Sequence, residues 1–125
     1  MNLDMFKFGG GRNENAVAIV TVPASIGTKE SLFDVVSTGL LFPEYFGRNW
    51  DALEECLRDL AWLPAGCVVI DHEGLPPLDS QSLRTYLSIL KGAVEKWRKT
   101  SERQLLVSFP LGEEGAVAAN MVPPA

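Results

Sequence analysis

Two periods alternate along the chain. Largely apolar runs rich in β-branched residues, without strict alternation, lie within Ala16 to Val22, Gly66 to Asp71 and Gln104 to Phe109. Between them the spacing changes: Leu32, Val35, Val36, Gly39 and Leu40 recur at i, i+3, i+4, i+7 and i+8, and Leu83, Leu87, Leu90, Val94 and Trp97 at i, i+4, i+7, i+11 and i+14. Runs without alternation predict strands covered on both faces, and the wider spacing predicts helices with one buried stripe. Strands separated by helices imply a parallel sheet. The expected fold is therefore α/β, a small three-stranded parallel sheet covered by about four helices, one of them a short turn-like piece near residues 43 to 47.

Local chemistry sets the boundaries. Thr28 can cap the first long helix, and Pro43 ends it by pushing Phe42 out of the α region. Gly47 permits a positive φ in the turn that follows, and Asn49 is expected to cap the next helix. Asp79 or Ser80 caps the longest helix, and Pro110 closes the last strand. Residues 1 to 15 and 111 to 125 show no apolar period, so they read as a loose N-terminal arm and a mobile C-terminal tail around one domain at residues 16 to 110.

The helix predicted at residues 50 to 60 is two-sided. Trp50, Leu53, Cys56, Leu57 and Leu60 fall on one arc, and Asp51, Glu54, Glu55, Arg58 and Asp59 on the other. Asp51 with Glu54 and Asp51 with Glu55 are like-charge pairs at i,i+3 and i,i+4, each costing a few tenths of a kcal/mol. Such an arc either faces solvent, offset by Arg48 and Arg58, or presents its carboxylates to something positive.

Charge is segregated along the chain. Residues 43 to 60 carry five acids (Glu44, Asp51, Glu54, Glu55, Asp59) and two bases (Arg48, Arg58), a balance of −3. Residues 91 to 103 carry Lys91, Lys96, Arg98, Lys99 and Arg103 against Glu95 and Glu102, a balance of +3. The net charge of −5 argues against generic nucleic-acid or anionic-membrane binding and favours a basic partner or plain solubility. No run approaches a membrane span and the N-terminus lacks a signal-peptide core, so the expected location is cytoplasmic. Cys56 and Cys67 both belong to apolar stretches and are expected as buried thiols. With a single histidine, His72, no zinc spacing exists, and His72 is expected at the surface or partly packed at a strand end. No nucleophile motif or phosphate cradle is present, so neither an enzyme nor a cofactor is expected.

Residues 43 to 57 read Pro-Glu-Tyr-Phe-Gly-Arg-Asn-Trp-Asp-Ala-Leu-Glu-Glu-Cys-Leu. This long, ungapped pattern of mixed chemistry resembles the signature of the barstar family, bacterial inhibitors of secreted ribonucleases, and the likeness in element order extends over roughly residues 16 to 110. The resemblance implies a three-stranded parallel sheet, no catalysis, and a basic ribonuclease as protein partner, with the acidic helix and the turn before it blocking the phosphate-binding active site. Carried over position by position, it assigns Glu55 to the carboxylate that enters the active site, Asp51 to a second acidic contact and Tyr45 to an aromatic one. Gly47 and Asn49 shape and cap the approach, roles that are equally structural. Glu55 stands where the family's best-known member has Asp, and Glu54 replaces an aromatic contact, which shifts that spot from stacking to charge. A further acid on the last long helix falls nearest Glu95. A barstar-type scaffold serving as an immunity or regulatory module for a basic non-nuclease is the alternative, because a scaffold does not fix its target. A monomer is the expected free state.

Overall fold

A computed structural model describes residues 5–9 and 15–121. In chain order the elements are β1 (Phe6–Phe8), β2 (Ala18–Val22), α1 (Lys29–Gly39), α2 (Trp50–Asp59), β3 (Gly66–His72), α3 (Ser80–Arg98), β4 (Arg103–Phe109), a single 3₁₀ turn (Leu111–Glu113) and α4 (Glu114–Met121). The sheet has four strands in the order β1-β4-β3-β2, every neighbouring pair parallel. The α/β class and the parallel sheet expected from the apolar runs are thus present, with one strand more than expected.

The caps sit where the side-chain chemistry places them. Thr28 Oγ1 accepts from the Ser31 amide at 3.1 Å, Asn49 Oδ1 from Ala52 at 2.7 Å and Asp79 Oδ1 from Ser82 at 2.9 Å, each satisfying an amide that the first turn of a helix leaves free. The core collects the stripes: Leu32, Phe33 and Val36 of α1, Leu53 and Leu57 of α2, and Leu83, Leu87, Leu90 and Val94 of α3 bury against Val22, Val68, Ile70, Leu105 and Val107 of the sheet. Helix α1 approaches β2 so closely that a Cβ on Gly39 would lie 2.3 Å from Val20 Cγ2. Only glycine fits that point of the stripe.

Four expectations are corrected. The arm at residues 1 to 15 holds a strand. Phe6 is 4% exposed, and both Phe6 and Phe8 pack on Phe109 with ring centroids 5.5 and 6.1 Å away. A three-residue strand offers too few positions for any period to register. The tail likewise is not loose up to Met121: Val117 of α4 is buried, and the Glu113 carboxylate accepts from the Leu75 amide at 3.0 Å. Alanine-rich α4 forms on propensity with one anchoring side chain, so no stripe marks it. The packed body therefore runs beyond residues 16 to 110 at both ends, while residues 1–4, 10–14 and 122–125 of the expected arm and tail lie outside the described residues.

Residues 43 to 47 form a turn, closed by the Phe46 amide on the Pro43 carbonyl at 3.0 Å, and not a short helix. The positive φ in this loop belongs to Leu41 (57°) and Arg48 (54°), not to Gly47. Finally, His72 is 2% exposed. Its Nδ1 lies 2.8 Å from the Ser108 carbonyl and its Nε2 2.7 Å from the Tyr86 hydroxyl, and the ring stacks on Phe109 with centroids 4.1 Å apart. A carbonyl only accepts, so Nδ1 carries the proton and Nε2 receives the Tyr86 O–H. Burial pulls the imidazole down to about 4 and pushes the Tyr86 phenol up. In the sequence a strand-end histidine looks peripheral, because nothing there shows Tyr86 and Phe109 converging on it.

Candidate partner-binding site

Helix α2 is fixed from below and at both ends, and its outer face is left open. Below, Leu53, Cys56 and Leu57 are buried, and the Trp50 ring stands edge-on to Phe33 at 5.0 Å. At the start, Asn49 caps. At the end, donors come from the basic stretch further along the chain: Trp97 Nε1 donates to the Leu57 carbonyl at 2.8 Å, Lys96 Nζ to the Arg58 carbonyl, and Arg103 Nη2 to the carbonyls of Leu60, Leu63 and Pro64 at 3.2, 3.1 and 3.0 Å. The Leu57, Arg58 and Leu60 carbonyls belong to the end of the helix, which leaves them without intrahelical partners, while Leu63 and Pro64 lie just beyond it; cationic donors also suit the negative end of its dipole. Leu60 closes the helix in the left-handed region at φ 49°, a conformation that costs a non-glycine residue roughly 1 kcal/mol and is held here by complete burial of its side chain.

Asp51, Glu54, Glu55, Arg58 and Asp59 are all exposed. Among the described residues none of these four carboxylates is ion-paired. The two arginines expected to offset them are engaged elsewhere: Arg48 pairs with Asp34 of α1 at 2.5 Å, and the Arg58 guanidinium lies along α3, where a Cβ on Gly92 would stand 2.9 Å from its Nη2. The carboxylates form an unneutralised strip along one stiff element.

Tyr45 is 74% exposed and stands beside the second half of that strip. Its phenol is pushed up by partial desolvation first, then by Asp59, the Cys56 thiol and Glu55; the Cys56 thiol is pushed up by burial and the same two acids. Tyr45, Glu55 and Asp59 therefore share one patch. Asp51 and Glu54 share another, the rim of an open groove of about 380 Å³ between α2 and α3, faced by Arg84, Thr85 and Ser88. Gly47 and Asn49 precede the helix as exposed loop residues, linked by a 3.5 Å contact from Asn49 Nδ2 to the Gly47 carbonyl. Glu95 is not brought into the strip: it is half-buried on α3 and pairs with Lys91 at 3.7 Å.

Three groups of this region escaped the selection of contact residues. Asp59 was visible on the polar arc, and its spacing of four from Glu55 could have marked it. The α3 side of the groove, Arg84 and Ser88, had no signal, because periodicity identifies the buried stripe of a helix and not its exposed flank. Among the described residues no group of three or more His, Cys, Asp or Glu side chains could hold a metal ion, and no helix is long and apolar enough to cross a membrane.

No curated protein matches the chain. A family model described as Barstar (barnase inhibitor) matches residues 18–109, from the first residue of β2 to the last of β4. That span is well over half of the chain and holds the cap, the acidic helix and the donors that fix it, so this protein belongs to the barstar family.

Proposed function

We propose that this chain is an inhibitor of a basic ribonuclease, acting in the cell that makes the nuclease and blocking its phosphate-binding site with α2 and the turn before it. A nuclease that cleaves RNA gathers cationic donors around the scissile phosphate. A rigid row of carboxylates can occupy those donors through charge-assisted hydrogen bonds, bidentate where the donor is arginine. The observation that carries the reading is the strip itself: Asp51, Glu54, Glu55 and Asp59 exposed, with Arg48 paired to Asp34 and the Arg58 guanidinium lying against α3. Opposite fields also speed encounter and make it salt-sensitive. In this reading Glu55 reaches deepest, Asp51 makes the second acidic contact, Tyr45 packs against the rim, and Gly47 and Asn49 set the approach of the loop. Glu54 contributes charge, which tunes the surface to a different nuclease from one read by an aromatic at that position. Glu95 contributes only if Lys91 releases it.

The test is capture of partners from the source cell followed by an RNA-cleavage assay with and without this protein. Inhibition should weaken about tenfold or more in Asp51→Ala and in Glu55→Ala, as expected for loss of a charge-assisted hydrogen bond. Unchanged inhibition in both variants refutes the site. Capture of a basic protein without nuclease activity refutes the target and favours the immunity or regulatory reading of the same surface.

A further inference from the structure

The two edges of the sheet are finished differently. β1 is three residues long with the charged Lys7 at its centre, a combination that discourages further pairing. β2, at the other edge, reads Ala-Ile-Val-Thr-Val and carries no charge. Ile19 is 36% exposed, and Val17 just before the strand 37%. The register with β3 decides which main-chain groups of β2 are used. Val22 stands opposite His72 and its carbonyl accepts from the Glu73 amide at 2.9 Å, so Val22, and with it Val20 and Ala18, turn their main-chain groups to β3. The N–H and C=O groups of Ile19 and Thr21 point away from the sheet, and among the described residues nothing bonds to them. Beside this edge runs an open groove of about 540 Å³, walled by Ile19 and Thr21 on one side and by Asp34, Val35, Thr38 and Gly39 of α1 on the other.

We propose that β2 pairs with β2 of a second copy of this chain, antiparallel across a two-fold axis at Val20, in place of the monomer expected from the sequence. The strand is its own complement in that register. Ile19 of each copy falls opposite Thr21 of the other, and each such pair exchanges both of its main-chain bonds, which uses every outward group of the strand. Pro23, at the next outward position, has no N–H to offer and ends the pairing there. The opposed side chains, Ile with Thr and Val with Val, form favourable β-branched pairs. Charge also points to a second copy. The one acid among the described groove residues, Asp34, is already paired with Arg48 at 2.5 Å, so two chains of net charge −5 meet here on a neutral face, while a charged segment of another protein finds no free counter-charge. One short strand and one helix face engage fewer than the roughly 20–30 residues a side of a standard interface, which makes the dimer weak and concentration-dependent. No residue of the groove belongs to α2, so the pairing stands independently of the inhibition proposed above.

The experiment is sedimentation equilibrium of the full chain from about 10 μM to about 1 mM, with amide hydrogen exchange at both ends of that range. A monomer–dimer equilibrium is expected. The Ile19 and Thr21 amides should exchange about tenfold or more slower in the concentrated sample, while the Val20 amide, turned to β3, stays slow in both. Ile19→Lys places a charge at an exposed edge position, leaves the fold intact and should hold the chain monomeric; an equimolar mixture with Ile19→Glu should restore the dimer, because the two side chains at position 19 lie on one diagonal of the paired strands. A dimer that survives in Ile19→Lys, a mixture that stays monomeric, or protection of both amides that does not vary with concentration overturns the proposal. A chain monomeric throughout also overturns it, and leaves the edge to an extended segment of another protein.

Discussion

Acidification should destabilise this protein through His72 before its carboxylates titrate. The imidazole is buried, committed to Ser108 and Tyr86 in its neutral form, and drawn down to about 4 from 6.5. Its folded-state pKa is below its unfolded one, so between those values the unfolded chain binds the extra proton and stability falls as pH falls. The contribution is complete above pH 6.5 and is lost progressively down to about 4. A difference of two and a half units at roughly 1.4 kcal/mol each amounts to about 3.5 kcal/mol, a sizeable part of the 5–15 kcal/mol typical of a domain. Urea unfolding at pH 7, 5.5 and 4.5 measures it. The control is His72→Phe, which leaves Tyr86 and Ser108 without their partner and starts from lower stability, but should show no loss across this window. Asp79, held low by the Ser82 amide and hydroxyl, adds its own acid-side loss only below the ordinary carboxylate range. A wild-type curve flat between pH 7 and 4.5, an equal slope in His72→Phe, or an imidazole proton titrating near 6.5 in the folded protein would refute the reasoning.

Other substitutions separate fold from surface. Gly39→Ala drives a methyl into Val20 and should cost about 1–3 kcal/mol in a chemical-denaturation series. Trp97→Phe keeps most of the ring but removes the donor to the Leu57 carbonyl; a loss of about 1–3 kcal/mol is expected, with hydrogen exchange rising first at the end of α2. Arg48→Ala breaks an exposed pair with Asp34 and should change stability by less than about 1 kcal/mol, so a larger loss would show the pair to be structural. Inhibition of the proposed nuclease should weaken steeply from low to physiological salt, and a salt-independent constant would argue against a charged interface.

The fold was legible wherever residues repeat. Three strands, three long helices and their caps at Thr28, Asn49 and Asp79 follow from spacing and side-chain chemistry, and all are present. What escaped was short or decided by distant contacts. Phe6 and Phe8 become a strand because Phe109 lies beside them, and Val117 anchors a helix that has no second apolar position to repeat with. The acidic face of α2 was readable in full, since the 3.6-residue period sorts its residues without reference to the rest of the chain. The fate of its counter-charges was not. Nothing in the spacing of Arg48 and Asp34 says that they meet across fourteen positions, and Glu95 looked available until α3 placed Lys91 one turn before it.

That fate explains how the chain carries opposite charges without cancelling them. Balances of −3 and +3 in neighbouring parts of one small domain should pair off, and a surface of paired charges would offer nothing to a cationic partner. The fold prevents this by giving the positive groups other acceptors. Lys96 and Arg103 are spent on main-chain carbonyls at and beyond the end of α2, and Trp97 adds a neutral donor between them. The basic stretch therefore stabilises the acidic helix by closing its C-terminus rather than by shielding its side chains. The arrangement demands that α2 and α3 keep their register, because the donors come from one and the carbonyls from the other. A change that slid α3 by one turn would release Lys96 toward Asp59 and Glu55, and would lower the negative field of α2 without touching a single residue on it.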